Sequence, residues 1–143
     1  KNGLISELIE PIEKEANNKL SELTDGLFSV KFDLEGEYFV QVKKENWPRW
    51  APIKVLSTSE KLRLGVVMQH VLNNLTDLKF MVIDEADTLE PQNKSLLVNT
   101  VLKIKEDYDQ ILILSTVGEN KPHDPGIDGL KTFWVENGKI KEL

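Results

Sequence analysis

The chain has 143 residues, of which 40% are hydrophobic and 29% are charged, ordinary values for a globular protein of about one domain. Lys and Arg number 18 against 24 Asp and Glu, and the net charge of −6 argues against a stand-alone, non-specific nucleic-acid binder, which needs a basic surface. The absence of cysteine excludes disulfides, thiolate zinc sites and cysteine nucleophiles, and it fits a reducing cytosolic compartment. No apolar run approaches the roughly 20 residues of a membrane span.

The first half of the chain predicts a helix, a β-hairpin and a second helix. Residues 4–24 place apolar side chains three and four apart, and Pro11 predicts either that the main helix begins there or that a helical arm kinks there. Alternating apolar residues on both sides of a turn at 35–37 predict a hairpin over 27–43. An irregular loop rich in Pro and Trp is expected next. The strongly apolar residues 57–75 then predict a helix that is buried around much of its circumference.

The second half of the chain predicts a parallel pair of strands and a terminal hairpin. The apolar run KFMVID ends in an acid, which is the pattern of a central parallel strand. A helix over 91–105 and a second apolar strand at 111–114 follow, so a core of parallel strands flanked by helices is expected. After a loop rich in Gly, Pro and Asp, the pair Asn137–Gly138 predicts the type I′ turn of a hairpin within 130–143.

Asp84 and Glu85, at the end of the KFMVID strand, are the first candidates for chemistry. A parallel strand delivers such residues to the carboxyl edge of its sheet, where ligands of open α/β folds bind. Asp84 is predicted to hold Mg²⁺, usually through water, and Glu85 to polarise a water molecule for attack on a phosphoryl group. The alternative is that two acids simply end the strand at the surface.

Ser57 and Glu60 have the spacing of a capping box, in which the two residues satisfy backbone N–H groups at a helix start and need no further role. The same helix start also offers N–H groups and the positive end of a helix dipole to a phosphate. The pattern by itself leaves both interpretations open.

The order of the motifs resembles a known family. LSTSEKLR, an apolar helix, FMVIDEAD, TLEPQN and ILILST together resemble the C-terminal half of ABC-type ATPase heads, and within that group the SMC proteins and the coiled-coil ATPases of double-strand-break repair. The resemblance covers roughly residues 4–143.

The resemblance implies an α/β fold that forms the C-terminal lobe of a P-loop ATPase head, with residues 1–143 as a single domain. In that lobe, 1–24 would be the end of a helical arm from a coiled coil. Residues 27–43 and 130–143 would form hairpins, and 57–116 would hold the signature helix and the Walker B core.

At the start of that helix, the resemblance assigns four residues to the LSGGE or LSGGQ signature motif that contacts nucleotide. Ser57 matches the signature serine, and Glu60 matches the acid or amide. Thr58 and Ser59 stand where the two glycines are expected. Their side chains add bulk where the backbone approaches a γ-phosphate.

At the strand ends, the resemblance assigns five further residues. Asp84 matches the Walker B ligand of Mg²⁺, and Glu85 matches the catalytic base. Glu90 stands where the D-loop aspartate is expected, and Asn93 matches the asparagine that follows it. Thr116 stands where the catalytic switch histidine is expected, but threonine has neither the charge nor the length of histidine.

No GxxxxGK[ST] pattern occurs in the chain, so a phosphate-cradling loop has to come from another segment. The resemblance therefore implies that ATP and Mg²⁺ are bound, and ATP is hydrolysed, only together with the Walker A lobe of the same protein. With Lys1 in place of an initial Met, a part of a longer chain is expected.

Partners and location also follow from the resemblance. It implies an ATP-dependent homodimer of heads that acts in DNA repair, recombination or chromosome maintenance, with indirect contact with DNA. A nuclease subunit is a further candidate partner. The location implied is cytoplasmic and nucleoid-associated, without a membrane.

Two other hypotheses stay open. VIDEAD, followed by a strand that ends in Ser115 and Thr116, resembles the second and third motifs of DEAD-box helicases, although no TPGR-like segment precedes the acids. A non-catalytic dimerisation module is the other hypothesis, because Thr58, Ser59 and Thr116 all depart from the ATPase motifs.

Overall fold

The computed structural model describes residues 2–34, 39–116 and 123–143. Its helices are α1 (Asn2–Leu23), α2 (Thr58–Thr76) and α3 (Pro91–Ile104), with 3₁₀ turns at Ile53–Val55, Ala86–Thr88 and Lys105–Asp107. Its strands are β1 (Ser29–Asp33), β2 (Phe39–Lys43), β3 (Ala51–Pro52), β4 (Phe80–Ile83), β5 (Gln110–Ile113), β6 (Phe133–Glu136) and β7 (Lys139–Glu142). The predicted turn at 35–37 and residues 117–122 of the predicted loop lie outside the described residues.

This mixture of helices and strands, with β4 and β5 parallel, confirms the predicted α/β class. The predicted hairpins are also confirmed, because β1 pairs with β2 and β6 with β7 in antiparallel register. Asn137 and Gly138 have φ values of 50° and 72°, as a type I′ turn requires.

Helix α1 runs through Pro11, so the prediction that the main helix begins at that proline is wrong. A proline inside a helix removes one backbone hydrogen bond, and the remaining turns hold the helix on both sides of it. Leu4 and Leu8 are exposed before Pro11, whereas Ala16 and Leu20 are fully buried after it. Only the second half of α1 therefore belongs to the core.

The segment predicted as an irregular loop after β2 contains a short strand, which corrects that prediction. In β3, Ala51 pairs with Val42 and Pro52 with Gln41, which gives a three-stranded antiparallel sheet in the order β1–β2–β3. A proline is compatible with this position because an edge strand has one row of N–H groups that need no partner strand.

The outer edge of β1 is bonded to side chains of α1. The Asn17 amide donates to the Val30 carbonyl oxygen at 2.9 Å, and its Oδ1 accepts the Val30 N–H at 2.8 Å. Glu13 Oε2 accepts the Phe32 N–H at 2.7 Å. These side chains take the place of a neighbouring strand, so the backbone groups at this edge of the sheet are satisfied.

The core lies where α1, the first sheet, α2, α3 and one face of the β4–β5 pair meet. The apolar face of α3, formed by Leu97, Val101 and Ile104, is buried in this core. Helix α2 is less enclosed than predicted, because Leu72 and Leu75 are exposed on the side that no described element covers. The largest fully buried apolar side chains are those of Leu20, Phe28, Leu64, Met81 and Leu97.

The parallel pair β4–β5 is covered on one face only within the described residues. Met81 and Ile83 are buried, as expected for a core strand. On the other face four apolar side chains are 37–46% exposed, and we call this surface the open sheet face: Phe80, Val82, Leu112 and Leu114. None of the described helices is long and apolar enough to cross a membrane.

The bonds between α1 and β1 give a first prediction. Asn17→Ala is expected to lower the free energy of unfolding by about 2 kcal/mol, because it leaves an N–H and a carbonyl of Val30 without partners. Urea denaturation of the chain measures this change. Asn18→Ala is the matched control, since Asn18 is exposed on the same helix, and it is expected to stay within about 0.5 kcal/mol of the parent. Equal effects of the two substitutions would contradict the role of Asn17.

Candidate functional site

Ser57 and Glu60 form both halves of the predicted capping box at the start of α2. Ser57 Oγ accepts the Glu60 N–H at 3.3 Å, and Glu60 Oε2 accepts the Ser57 N–H at 3.0 Å. Ser57 and Thr58 are exposed, and Ser59 Oγ lies 3.3 Å from Ser57 Oγ. The capping interpretation is thereby confirmed, while a role of this helix start in binding phosphate stays a prediction.

Glu60 also ties the start of α2 to the first sheet. Its Oε1 accepts a hydrogen bond of 2.5 Å from Lys44, whose ammonium lies 5.1 Å from the centre of the Trp47 ring. Burial would raise the pKa of the Glu60 carboxyl, but the bonds from Lys44 and Ser57 outweigh burial and hold that pKa below its ordinary value. Glu60 is therefore an ionised carboxylate held in place from two sides.

Asp84 and Glu85 follow β4 directly and are both exposed. Asp84 Oδ1 accepts the Glu85 N–H at 2.7 Å, which fixes the orientation of the Asp84 carboxylate. Glu85 has a φ of 60°, in the left-handed region that costs a residue other than glycine roughly 1 kcal/mol. Such strain is common at functional sites, where the surrounding structure holds it in place.

The backbone just after β4 is bonded to the backbone just after β5. The Leu114 N–H donates to the Ile83 carbonyl at 2.8 Å, and the Ala86 N–H donates to the Leu114 carbonyl at 3.3 Å. The Thr88 hydroxyl donates to the Glu85 carbonyl at 2.8 Å, which closes the turn. The residues that follow the two strands therefore form one connected edge.

Thr116 bonds to a carboxylate at this edge, but to neither Asp84 nor Glu85. Its hydroxyl donates to Asp87 Oδ2 at 2.7 Å, and this bond is the main reason that the pKa of Asp87 lies below its ordinary value. Sequence reasoning did not single out Asp87. The contact could have been predicted, because the two predicted parallel strands end at the same edge of the sheet. Asp87, the last acid of VIDEAD, lies close to the end of the first strand, and Thr116 follows the second.

Glu90 occupies the N-cap position of α3, before Pro91, without a side-chain capping bond. It is exposed, and its carbonyl accepts the Lys94 N–H at 3.0 Å. Asn93 is half-buried in the first turn of the same helix. In the part of the chain that the structure describes, no hydrogen bond or ion pair joins Glu90 to Ser57 or to the acids after β4.

A buried polar cluster connects α2 to the start of β4. His70 is fully buried, with Nδ1 2.9 Å from the Tyr108 hydroxyl and Nε2 3.3 Å from the Asn74 amide. Asn73 donates to the Phe80 carbonyl at 3.2 Å. Burial lowers the pKa of His70, although Asp107, 3.7 Å from Nε2, opposes that shift. A neutral ring that accepts from Asn74 and donates to Tyr108 satisfies these contacts.

The acids after β4 fit a magnesium–nucleotide complex better than a metal cage made by protein alone. Mg²⁺ is commonly held by one or two carboxylates together with waters and substrate phosphates. Asp84 and Glu85 supply such oxygens, and the described residues contain no group of three or more acids or histidines that could hold a metal. A metal ion held by these two acids would need waters or phosphate oxygens as its other ligands.

Comparisons with known proteins bear on the fold. No protein-family model and no curated protein matches the chain. A structure from a study of ATP-driven dimerisation and DNA-stimulated activation of SMC ATPases matches 100% of the chain and 88% of its own length, with a TM-score of 0.69 at 16% identity. The chain has the fold of part of an SMC ATPase head.

Two further SMC heads match almost the whole chain. The Smc head with coiled coil and joint from Pyrococcus yayanosii aligns over 99% of the chain and 28% of its own length, with a TM-score of 0.67 at 15% identity. The SMC head from Thermotoga maritima aligns over 99% of the chain and 51% of its own length, with a TM-score of 0.58 at 19% identity. Our chain thus spans about a quarter to a half of these two SMC chains.

The Thr116–Asp87 bond gives a second prediction. Thr116→Val is expected to raise the pKa of Asp87 toward its ordinary value of 3.8, because the lost hydroxyl stabilised the ionised form. A carboxyl titration followed by NMR measures this pKa. Because the pKa of Asp87 is lower in the folded protein than its ordinary value, this carboxyl stabilises the fold at pH values above that ordinary value. The stabilisation is lost as the pH falls through the folded pKa, and we expect this loss to be smaller in Thr116→Val. Thr116→Ser keeps the hydroxyl and is expected to keep the lowered pKa; a parental pKa in the valine variant would contradict the assignment.

Proposed function

We propose that the chain is the C-terminal lobe of an SMC-type ATPase head and supplies the signature, Walker B and D-loop residues of a nucleotide site. One observation carries the proposal. Within an SMC-head fold, Asp84 and Glu85 lie exposed at the carboxyl end of a parallel strand, where an α/β sheet binds its ligand. The Walker A loop, which the sequence lacks, would come from another segment of the protein.

In the proposed site, Asp84 would hold Mg²⁺ and Glu85 would accept the proton of the attacking water. The bond from the Glu85 N–H orients the Asp84 carboxylate without occupying both of its oxygens. Mg²⁺ would supply charge neutralisation on the β- and γ-phosphates of ATP. Thr116 would act at the same edge through Asp87, which it contacts, because its own hydroxyl cannot replace a charged histidine.

The exposed start of α2 would contact the nucleotide of a second head. Ser57, Thr58 and Ser59 lie at the positive end of a 19-residue helix, where a phosphate is favoured. Glu90 would line the same contact between heads as the D-loop acid. ATP would then join two copies of the head, in the manner of the ATP-driven dimerisation studied in the matched SMC ATPases.

The open sheet face is the surface on which we expect the Walker A lobe to dock. Two of its four apolar side chains lie on β4, which leads to the proposed Walker B acids, and two lie on or just after β5. Docking there would cover the open sheet face and complete the nucleotide site. We further propose a role in DNA repair, recombination or chromosome maintenance, with a nuclease as a candidate partner. A partner of the ScpA type is a second candidate, since one matched SMC head binds the winged-helix domain of ScpA.

Nucleotide binding tests the proposal. The 143-residue chain is expected not to bind ATP measurably by itself, whereas its complex with the cognate Walker A segment is expected to bind ATP and dimerise. Isothermal titration and light scattering report these two steps.

In the complex, Glu85→Gln is expected to keep ATP bound and slow turnover by roughly 100-fold or more, because an amide cannot accept the proton. Asp84→Asn is expected to weaken Mg²⁺ binding instead.

Three outcomes would contradict the proposal. Hydrolysis at the parental rate by both variants would reject the Walker B assignment. ATPase activity that depends on RNA would favour the helicase hypothesis. The absence of any nucleotide response from the complex would favour a non-catalytic dimerisation module.

Ser57 gives a separate prediction about the contact between heads. Ser57→Arg and Ser57→Ala both remove the cap and are each expected to cost about 1 kcal/mol of stability. Only the arginine would fill the space that the opposite head's phosphate enters. Ser57→Arg is therefore expected to abolish ATP-driven dimerisation while ATP still binds, and Ser57→Ala to retain dimerisation. If light scattering showed that both variants dimerise with ATP to the same extent as the parent, Ser57 would act only as a cap.

A further inference from the structure

A cleft of about 340 Å³ lies between the end of α1, the first turns of α2 and the second half of α3. Arg63, Asn99, Thr100 and Lys103 are among the residues that line it. The cleft shares no residue with the proposed nucleotide site.

Arg63 is buried in this cleft, and no residue in the described part of the chain pairs with its charge. Only 8% of the residue is exposed, and its Nε has no hydrogen-bond acceptor. Among the described residues no carboxylate forms an ion pair with it. A largely buried cation without a partner is unfavourable, and an anion in the cleft would compensate it.

Two other polar residues of the lining, Thr100 and Lys103, donate to backbone carbonyls. Thr100 donates its hydroxyl to the Leu96 carbonyl at 2.9 Å and to the Leu23 carbonyl at 3.5 Å. Lys103 donates to the Glu22 carbonyl at 3.3 Å and adds a second positive charge to the lining. These contacts do not involve Arg63, whose Nε has no hydrogen-bond partner among the described residues.

Asp25, the one carboxylate among the described lining residues, does not neutralise the cleft. The Asp25 side chain is 90% exposed, and its Oδ1 is 3.9 Å from Lys103 Nζ, too far for a hydrogen bond. The cleft thus presents two cations against one solvated anion, in a chain whose net charge is −6. A local excess of positive charge in an acidic protein is the setting in which an anion binds selectively.

We propose that this cleft binds an oxyanion, either a carboxylate or a phosphate. Arg63 would offer its fork of N–H groups from the wall, which suits the paired oxygens of either group. Lys103 would contribute a point charge from the rim, and the Asn99 amide a further donor. This assignment is independent of the proposed ATPase function, because it rests on the α1–α2–α3 cleft alone.

Thermal melting of the 143-residue chain tests the site, with inorganic phosphate and acetate added separately at constant ionic strength. The parent is expected to melt at a higher temperature as the oxyanion is added, and the increase is expected to saturate. The side-chain amide signals of Asn99 are expected to shift over the same concentration range in NMR spectra. A response to phosphate alone identifies a phosphate site, and a response to acetate identifies a carboxylate site. The absence of a saturable response to both would overturn the proposal.

Two variants and a control separate a binding site from a structural role. Arg63→Met keeps the length of the side chain and removes the charge, so it is expected to melt no lower than the parent without oxyanion and to lose the response to it. Lys103→Gln is expected to weaken the response, and Lys139→Gln, on the exposed β7, to keep it. If Arg63→Met melts well below the parent without oxyanion, or keeps the parental response, the proposal is wrong.

Discussion

The parallel pairing of β4 with β5 is the constraint on which the rest of the structure depends. The backbone bonds from Leu114 to Ile83 and from Ala86 to Leu114 continue this pairing past the ends of the strands. Because parallel neighbours end at the same edge, residues 29 positions apart, Asp87 and Thr116, come within hydrogen-bond distance. The left-handed backbone of Glu85 is tolerated because this network holds the turn on both sides.

Helix α2 is fixed to this pair at one end and to the antiparallel sheet at the other. Near its C-terminus, Asn73 bonds to the backbone of Phe80, and His70 bonds to Tyr108 in the segment that leads into β5. At its N-terminus, Glu60 bonds to Lys44, just after β2. The orientation of α2 is thus set by polar contacts at both ends and by apolar packing between them.

Features that depend on neighbours in the sequence could be predicted. The capping box of Ser57 and Glu60 and the turn at Asn137–Gly138 are encoded within four residues, so residue type and spacing were sufficient. The parallel pair could also be predicted, because a continuous apolar run that ends in acids is typical of a buried parallel strand. The order of the motifs along the chain indicated the SMC-head fold, and the structural comparisons confirmed it.

Features that depend on contacts across the fold could not be predicted. Strand β3 has only two residues and therefore no periodicity to detect. The bonds from Asn17 to Val30 join residues of ordinary polar and apolar character, and no local pattern marks them. Apolar residues on α2 gave no indication that Leu72 and Leu75 would be uncovered, because periodicity reports which residues are apolar and not what lies against them. The burial of Arg63 was equally invisible, since arginine is common on exposed helix faces.

The attachment of α1 to β1 has a mechanical consequence. The half of α1 before Pro11 exposes its apolar residues, whereas the half after it is joined to the sheet through Glu13 and Asn17. A torque applied to the exposed half would reach the sheet as a pull on the backbone of β1. From there the ladder to β2 and the Lys44–Glu60 ion pair lead to the first turn of α2. Helix α1 and the start of α2 are therefore joined by a continuous series of short, directional bonds, through which a displacement of α1 would pull on the start of α2.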